Sequence, residues 1–190
     1  MDEFFDEIQR LREAVEDKGL GEAANADDWN TLTSSMDALE DTHYAVAAFV
    51  ASASRPKPPE RELGERYLRM YGVMQALTIQ QDSISNFYVA LGMSRPDMSP
   101  LLHIRDLRVA MAGHPTLQER PKSLPRKSHF TSQITLDDNG ADLINVDGPG
   151  QLVVRHVLIP DLAVEQEKYI LGLIRKALSD SDLKAKKTGK

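Results

Sequence analysis

The sequence of 190 residues contains no cysteine, which excludes disulfide bonds and zinc sites built on thiolates. A chain without cysteine fits a reducing compartment, so we expect a cytoplasmic protein. Long apolar runs are also missing, because the most apolar stretch, AVAAFVASA, is far shorter than the roughly 20 residues that cross a bilayer. The first segment, MDEFFDEIQRLREAVEDK, is acidic and amphipathic, unlike a signal or transit peptide. We therefore expect no membrane partner.

Several motifs that mark common chemistries are absent as well. The sequence has no glycine-rich phosphate loop, no nucleophile elbow and no motif of stacking aromatic residues. His103, His129 and His156 do not stand at ligand-like spacings from carboxylates. We therefore predict no metal site and no cofactor.

Charge is unevenly distributed along the chain, whose net charge is −6. Residues 1–50 hold thirteen Asp and Glu against three Lys and Arg, whereas residues 101–130 hold six Lys and Arg against two Asp and Glu. A general polyanion-binding protein is basic throughout, so that class is excluded. The charge distribution still allows a local strip of basic residues on a protein that is acidic elsewhere.

Apolar residues recur at spacings of three and four in the first part of the chain, which predicts a bundle of helices. The predicted helices cover about 2–18, 28–53, 60–91 and 99–112, and Gly113 ends the fourth. The second and third helices have long seams, each with one polar member, His43 and Gln81. Such seams exceed the needs of a compact monomer, so we predict a homodimer.

The pattern changes after the bundle. The segments HFTSQITL, ADLINV and QLVVRHVLI are separated by DDNG and DGPG, which predicts a three-stranded antiparallel meander with Phe130, Ile134 and Leu136 on one side of its first strand. A last helix follows over about 162–178. The predicted class is mainly α, a helical bundle followed by a small β-meander and a C-terminal helix. The predicted parts are the bundle (1–116), a basic connector (117–128), the meander with the closing helix packed on the bundle as one domain (129–178), and a disordered tail (179–190).

The stretch IRDLRVAMAGHPT carries the clearest candidate chemistry. Arg105 and Arg108 are three residues apart and share a helix face, and His114 follows the helix end at Gly113. Arginine can grip two phosphate oxygens, and histidine exchanges protons near neutral pH, so the pair is suited to cleaving RNA without a metal. Arginines near a helix end followed by a simple turn explain the same residues.

This region resembles the HEPN superfamily, whose signature is an arginine, four to six residues and a histidine. Arg108 and His114 match that signature with five residues between them, downstream of long helices that include RYLRMYGVMQALTIQQDSISNFYVALG. The resemblance implies a helical bundle, a homodimer whose two motifs meet across a cleft, and metal-independent RNA cleavage by Arg108 and His114. It further implies a role in toxin–antitoxin or phage-defence systems.

One position departs from the pattern of the active members. These proteins usually have a polar residue, often asparagine, directly after the arginine, and this chain has Val109. Many members of the superfamily are inactive and serve as binding modules. The resemblance therefore also implies an alternative function, a catalytically inactive module with a protein or nucleotide partner.

Further residues are candidates for supporting roles. The predicted substrate-binding residues are Arg105, Arg120, Lys122, Arg126 and Lys127, which could follow an RNA backbone or simply form a solvated linker. Gln81 and Asp82 are predicted to orient Arg108 or His114. The alternative for Gln81 is a pairing with His43 that fixes the register of the two long helices.

Overall fold

The computed structural model describes residues 2–17, 26–55, 61–112, 127–147 and 151–188. Within these ranges the chain is mainly helical, with a small antiparallel sheet, as the sequence predicts. The helices are α1 (Asp2–Asp17), α2 (Ala26–Ala53), α3 (Leu63–Ala90), α4 (Leu102–Ala112) and α5 (Ile159–Thr188), and the strands are β1 (Lys127–Thr131), β2 (Gly140–Asp147) and β3 (Gln151–Leu158). None of the helices in the described part of the chain combines the length and apolar composition needed to cross a membrane.

Helix α1 buries the apolar face that its spacing predicts. The residues of this face are Phe4, Ile8, Leu11 and Val15. Two arginines add polar links at its rim. Arg12 contacts Asp37 and Glu40 of α2, both at 2.8 Å, and Arg175 of α5 donates to Glu7 at 3.0 Å. Helix α1 is therefore docked on α2 and α5 of its own chain.

The long seams of α2 and α3 are buried or half-buried except at their first residues. Trp29 is 36% exposed and Leu63 is 41% exposed, whereas the polar seam members His43 and Gln81 lie inside. The apolar residues of both seams form part of one core within a single chain. The length of these seams is thus explained by packing between α2, α3 and the other helices of the same chain.

Helix α4 begins after a 3₁₀ turn at Ser99–Leu101. The Asp97 carboxylate accepts the backbone N–H of Ser99 at 2.9 Å, and this hydrogen bond lowers the pKa of Asp97 below its ordinary value. The apolar side of the helix is buried as predicted. Its buried residues include Ile104, Leu107 and Met111, and Leu101 of the preceding 3₁₀ turn is buried with them. The opposite side of α4 is left for polar contacts.

The three strands form the predicted antiparallel meander in the order β1-β2-β3. The prediction for the first strand was wrong in its extent, because β1 ends at Thr131 and the chain turns at 133–135. Ile134 is therefore 96% exposed and Phe130 is 44% exposed, and only Leu136 of the predicted inward row is buried. The apolar alternation in HFTSQITL therefore spans a turn and does not run along one strand.

The DDNG segment forms the predicted turn before β2. The Asp137 carboxylate accepts the backbone N–H groups of Asn139 and Gly140, at 2.7 and 3.0 Å. A Cβ at Gly140 would lie 1.9 Å from the carbonyl oxygen of Val157, so only glycine fits where the two strands approach each other.

The same loop is anchored on the helices. Arg61 donates from Nε to the buried Asp138 carboxylate at 2.9 Å. Arg66 of α3 donates to the carbonyl oxygen of Leu136 at 3.1 Å. These contacts join the meander to the bundle, in agreement with a meander that is too small to be stable alone.

Helix α5 is longer than predicted at both ends. It begins at Ile159, with Pro160 in its first turn, and it continues to Thr188. The helix thus includes 179–188, a stretch for which the sequence predicts a disordered tail. The sequence of this stretch twice places an aspartate four residues before a lysine, which favours a helix.

Candidate functional site

The candidate site is built where α4 lies against α3. Arg105 and Arg108 occupy successive turns of α4, and both side chains reach α3. Arg105 Nε donates to Gln81 Oε1 at 2.8 Å, and Arg108 Nη2 donates to Gln75 Oε1 at 2.9 Å. The prediction that the two arginines share one helix face agrees with these contacts. Their surroundings on α3 nevertheless differ.

Arg105 is tied to α3 by an ion pair as well as an amide. Its Nη2 contacts the Asp82 carboxylate, and its side chain is 35% exposed against 58% for Asp82. The positive charge of Arg105 is thus offset by a carboxylate in direct contact. The sequence predicts that Arg105 binds substrate. In the structure its side chain links α4 to α3.

Behind Arg105 lies a buried cluster of three glutamines, which we call the glutamine cluster (Gln80, Gln81 and Gln166). Gln81 Nε2 donates to Gln166 Oε1 at 2.6 Å. Gln166 Nε2 donates to Gln80 Oε1 and to the carbonyl oxygen of Leu77, both at 2.8 Å. A buried amide without partners costs about 1–3 kcal/mol, so these bonds hold α3 and α5 in one relative position.

Among the described residues, the partners of Gln81 and Asp82 are not Arg108 or His43, and His114, the other predicted partner, lies outside these residues. Gln81 was expected to orient Arg108 or His114, or else to pair with His43. Its side chain bonds Gln166 and Arg105 instead, and Asp82 also contacts Arg105. His43 is buried and stacks on Phe4 with ring centroids 4.6 Å apart. The polar seam residues of α2 and α3 therefore face different neighbours.

Arg108 lies one turn nearer the end of α4 and has a different electrostatic setting. Its hydrogen bond goes to the neutral amide of Gln75, which is exposed. Among the described residues, no carboxylate forms an ion pair with Arg108. A guanidinium has five N–H donors and is always charged, so Arg108 retains both charge and donors for an anion.

Several predicted site residues lie outside the described ranges. They are His114, Arg120, Lys122 and Arg126. Lys127 is the first residue of β1. The predicted site residues that the structure brings together are Arg105, Arg108, Gln81 and Asp82, all at the contact of α3 and α4.

Three contributing residues were missed by the sequence reasoning: Gln75, Gln80 and Gln166. Gln166 stands four residues after Leu162 and three before Tyr169, within the predicted inward face of the last helix. A polar residue at that position was a usable signal for a buried hydrogen bond. Gln75 gave no such signal, because an exposed glutamine on a helix is ordinary.

Two histidines have carboxylate partners that are distant in sequence. His103 Nε2 lies 3.3 Å from Glu165 Oε2, and His156 Nδ1 lies 2.6 Å from Asp142 Oδ1. Within the part of the chain that the structure describes, no three His, Asp or Glu residues form a group that could hold a metal ion.

An open groove of about 680 Å³ lies between α1 and α2, away from the candidate site. Its lining includes Phe5, Tyr44, Ala47 and Ala51. Its lining contains none of the predicted site residues.

Comparison with known proteins supplies no relative for this chain. No protein-family model matches it, and no match is found among curated proteins or among solved structures.

Proposed function

We propose that the chain is a metal-independent endoribonuclease of the HEPN type, with Arg108 as the phosphate-binding residue and His114 as the acid–base group. The observation that carries this proposal is the setting of Arg108. Its guanidinium is held by the neutral amide of Gln75 and meets no carboxylate among the described residues. An arginine on a helix surface whose charge no carboxylate of the described residues offsets is suited to a phosphate.

The proposed reaction needs no cofactor. The ribose 2′-oxygen loses its proton and attacks phosphorus, and the bond from phosphorus to the 5′-oxygen breaks as that oxygen takes up a proton. The products are a 2′,3′-cyclic phosphate and a 5′-hydroxyl. His114 either accepts the first proton or donates the second, and solvent water accepts or supplies the other. Arg108 offsets charge on the phosphate oxygens.

The direct test is cleavage of single-stranded RNA by the purified protein in excess chelator. We expect Arg108→Ala and His114→Ala each to lower the rate by about 100-fold or more, since each removes a group that acts in the transition state. The matched control is His156→Ala, because that histidine lies in the sheet beside Asp142. Intact RNA with the wild type, or equal cleavage by His114→Ala, would contradict the proposal.

We also propose that the protein acts as a cytoplasmic homodimer within a toxin–antitoxin or phage-defence system. The resemblance of Arg108 and His114 to the HEPN signature supports this assembly, since that signature works in pairs. Light scattering at micromolar concentration measures the mass. A monomeric mass would remove the dimer from the proposal and leave the cleavage assay to decide the activity.

A second candidate function is an inactive HEPN-like module that binds a protein or nucleotide. Two observations favour it: Val109 follows Arg108, and the outer face of the sheet carries exposed apolar residues. Phe130, Ile144 and Val154 are direct cross-strand neighbours, and Phe130 and Val154 are 44% and 61% exposed. Exposed apolar patches often mark interaction surfaces.

Partner binding separates the two candidates. If the protein is a binding module, a partner isolated with the wild type remains bound to the Arg108→Ala/His114→Ala double variant. The same partner is then lost from Val154→Lys, which places a charge in the apolar row of the sheet. Loss of the partner from the double variant would instead favour a function centred on α4.

A further inference from the structure

The contact between α3 and α4 contains two arginine pairs in parallel positions. Arg108 meets Gln75, and Arg105 meets Asp82 together with Gln81. Gln75 and Asp82 are seven residues apart on α3, which is about two turns, so they stand on the same side of that helix. The two pairs therefore form successive steps along one groove, which we call the arginine groove (Arg105, Arg108, Gln75 and Asp82).

The two steps differ in the charge of the residues on α3 that face each arginine. Asp82 supplies a carboxylate, which offsets the charge of Arg105 and repels an approaching phosphate. Gln75 supplies an amide oxygen, which accepts one N–H from Arg108 and leaves its charge whole. The amide oxygen of Gln75 can thus orient the guanidinium of Arg108 without neutralising its charge. Gln75 and Asp82 both present a side-chain oxygen to a guanidinium, and only the oxygen of Asp82 carries a negative charge.

We infer that Gln75 is the positioning residue of Arg108, and that the contrast between Gln75 and Asp82 directs a phosphate to Arg108 and away from Arg105. This inference rests on the proposed function, because it assigns the RNA phosphate to one end of the arginine groove. It goes beyond that function by naming the groups on α3 that select the arginine.

Isosteric substitutions on α3 test the inference without altering either arginine. A labelled single-stranded RNA oligonucleotide is titrated against the full chain in chelator at several salt concentrations. We expect Gln75→Glu to weaken binding by about tenfold, because it places a carboxylate against Arg108. The slope of log K against log salt should fall by about 0.7, the value for one phosphate contact on a single strand.

Asp82→Asn is the matched control. It removes a carboxylate from α3 about two turns away from the position where Gln75→Glu adds one. We expect it to raise RNA affinity, because it frees charge on Arg105, and an unchanged or lowered affinity would contradict the role given to Asp82. Gln75→Leu separates orientation from charge. It keeps Arg108 fully charged, so we expect kcat to fall while KM changes little, and Gln75→Asn should restore part of the loss. Circular dichroism verifies folding of every variant.

The double variant Gln75→Glu/Asp82→Asn exchanges the charges that face the two arginines. Arg108 then faces a carboxylate, and Arg105 faces only amides. In this background we expect removal of Arg105 to weaken RNA binding more than removal of Arg108, the reverse of the wild-type order. Wild-type protein that neither binds nor cleaves RNA would overturn the proposed function together with the inference. Wild-type activity with unchanged affinity in Gln75→Glu would overturn the inference alone.

Discussion

Arg105 and Arg108 lie one turn apart on the same helix face, yet their environments assign them different work. Arg105 contacts the buried amide of Gln81 and the carboxylate of Asp82. Arg108 contacts the exposed amide of Gln75. The comparison shows that the availability of a guanidinium charge depends on the residue of α3 that faces the arginine. The position of the arginine on α4 does not decide it.

The largest expected effect concerns the glutamine cluster behind Arg105. We expect Gln166→Leu to lower the free energy of unfolding by about 2–4 kcal/mol, because it leaves the buried polar groups of Gln80 and Gln81 without their partner. Urea unfolding measures the change. The control is Gln75→Leu, the same substitution at an exposed glutamine of α3, with an effect within about 0.5 kcal/mol. Equal effects of the two substitutions would contradict a structural role for the cluster.

The next effect compares the two arginines directly. Arg105→Ala is expected to cost about 1–3 kcal/mol, because the buried Oε1 of Gln81 loses its donor. Arg108→Ala is expected to stay within about 0.5 kcal/mol, since its partner Gln75 is exposed and can bond water. Thermal or urea unfolding of both variants provides the measurement. A reversed order of stabilities would break the comparison between the two ends of α4.

A smaller effect belongs to the ion pair between Arg105 and Asp82. We expect Asp82→Asn to change stability by less than about 0.5 kcal/mol, because both side chains are partly exposed and water screens them. The difference from wild type should shrink further at 1 M salt, where screening is stronger. A large effect that persists in salt would show that Asp82, and not Gln81, anchors Arg105.

The smallest effect is a pH dependence at the start of α4. The hydrogen bond from Ser99 lowers the pKa of Asp97 below its ordinary value, so the ionised carboxylate stabilises the folded state. This contribution is complete above the ordinary pKa and is lost as pH falls through the lowered one. Unfolding midpoints of wild type and Asp97→Ala should therefore differ at neutral pH and converge in acid. Midpoints that converge at neutral pH instead would refute this contribution.

Much of the fold follows from patterns that the sequence displays. The apolar spacing in α1 and α4 predicts their buried faces, and the DDNG turn predicts the link into β2. The errors occur where the pattern is weak. Ile134 was placed in a strand because alternation does not reveal a turn, and α5 was ended early because its last part is polar.

The candidate site was predictable only in part. Spacing predicts that Arg105 and Arg108 share a face, since that depends on one helix alone. The partners of these arginines depend on how α3, α4 and α5 pack, and long-range packing is not encoded in a local period. Hence the sequence predicts Arg108, His114 or His43 as the partner of Gln81, whereas its hydrogen bonds reach Gln166 and Arg105.

The glutamine cluster has a consequence for the order in which the protein can be completed during synthesis. Gln81 and Gln166 are separated by 85 residues, so the amide that steadies Arg105 lacks its partner until α5 has left the ribosome. A chain that ends before α5 carries Arg105 and Arg108. It lacks Gln166, the hydrogen-bond partner of the amide that holds Arg105. The support of Arg105 is thereby completed only after α5 has been synthesised, whereas the contact of Arg108 with Gln75 needs α3 and α4 alone.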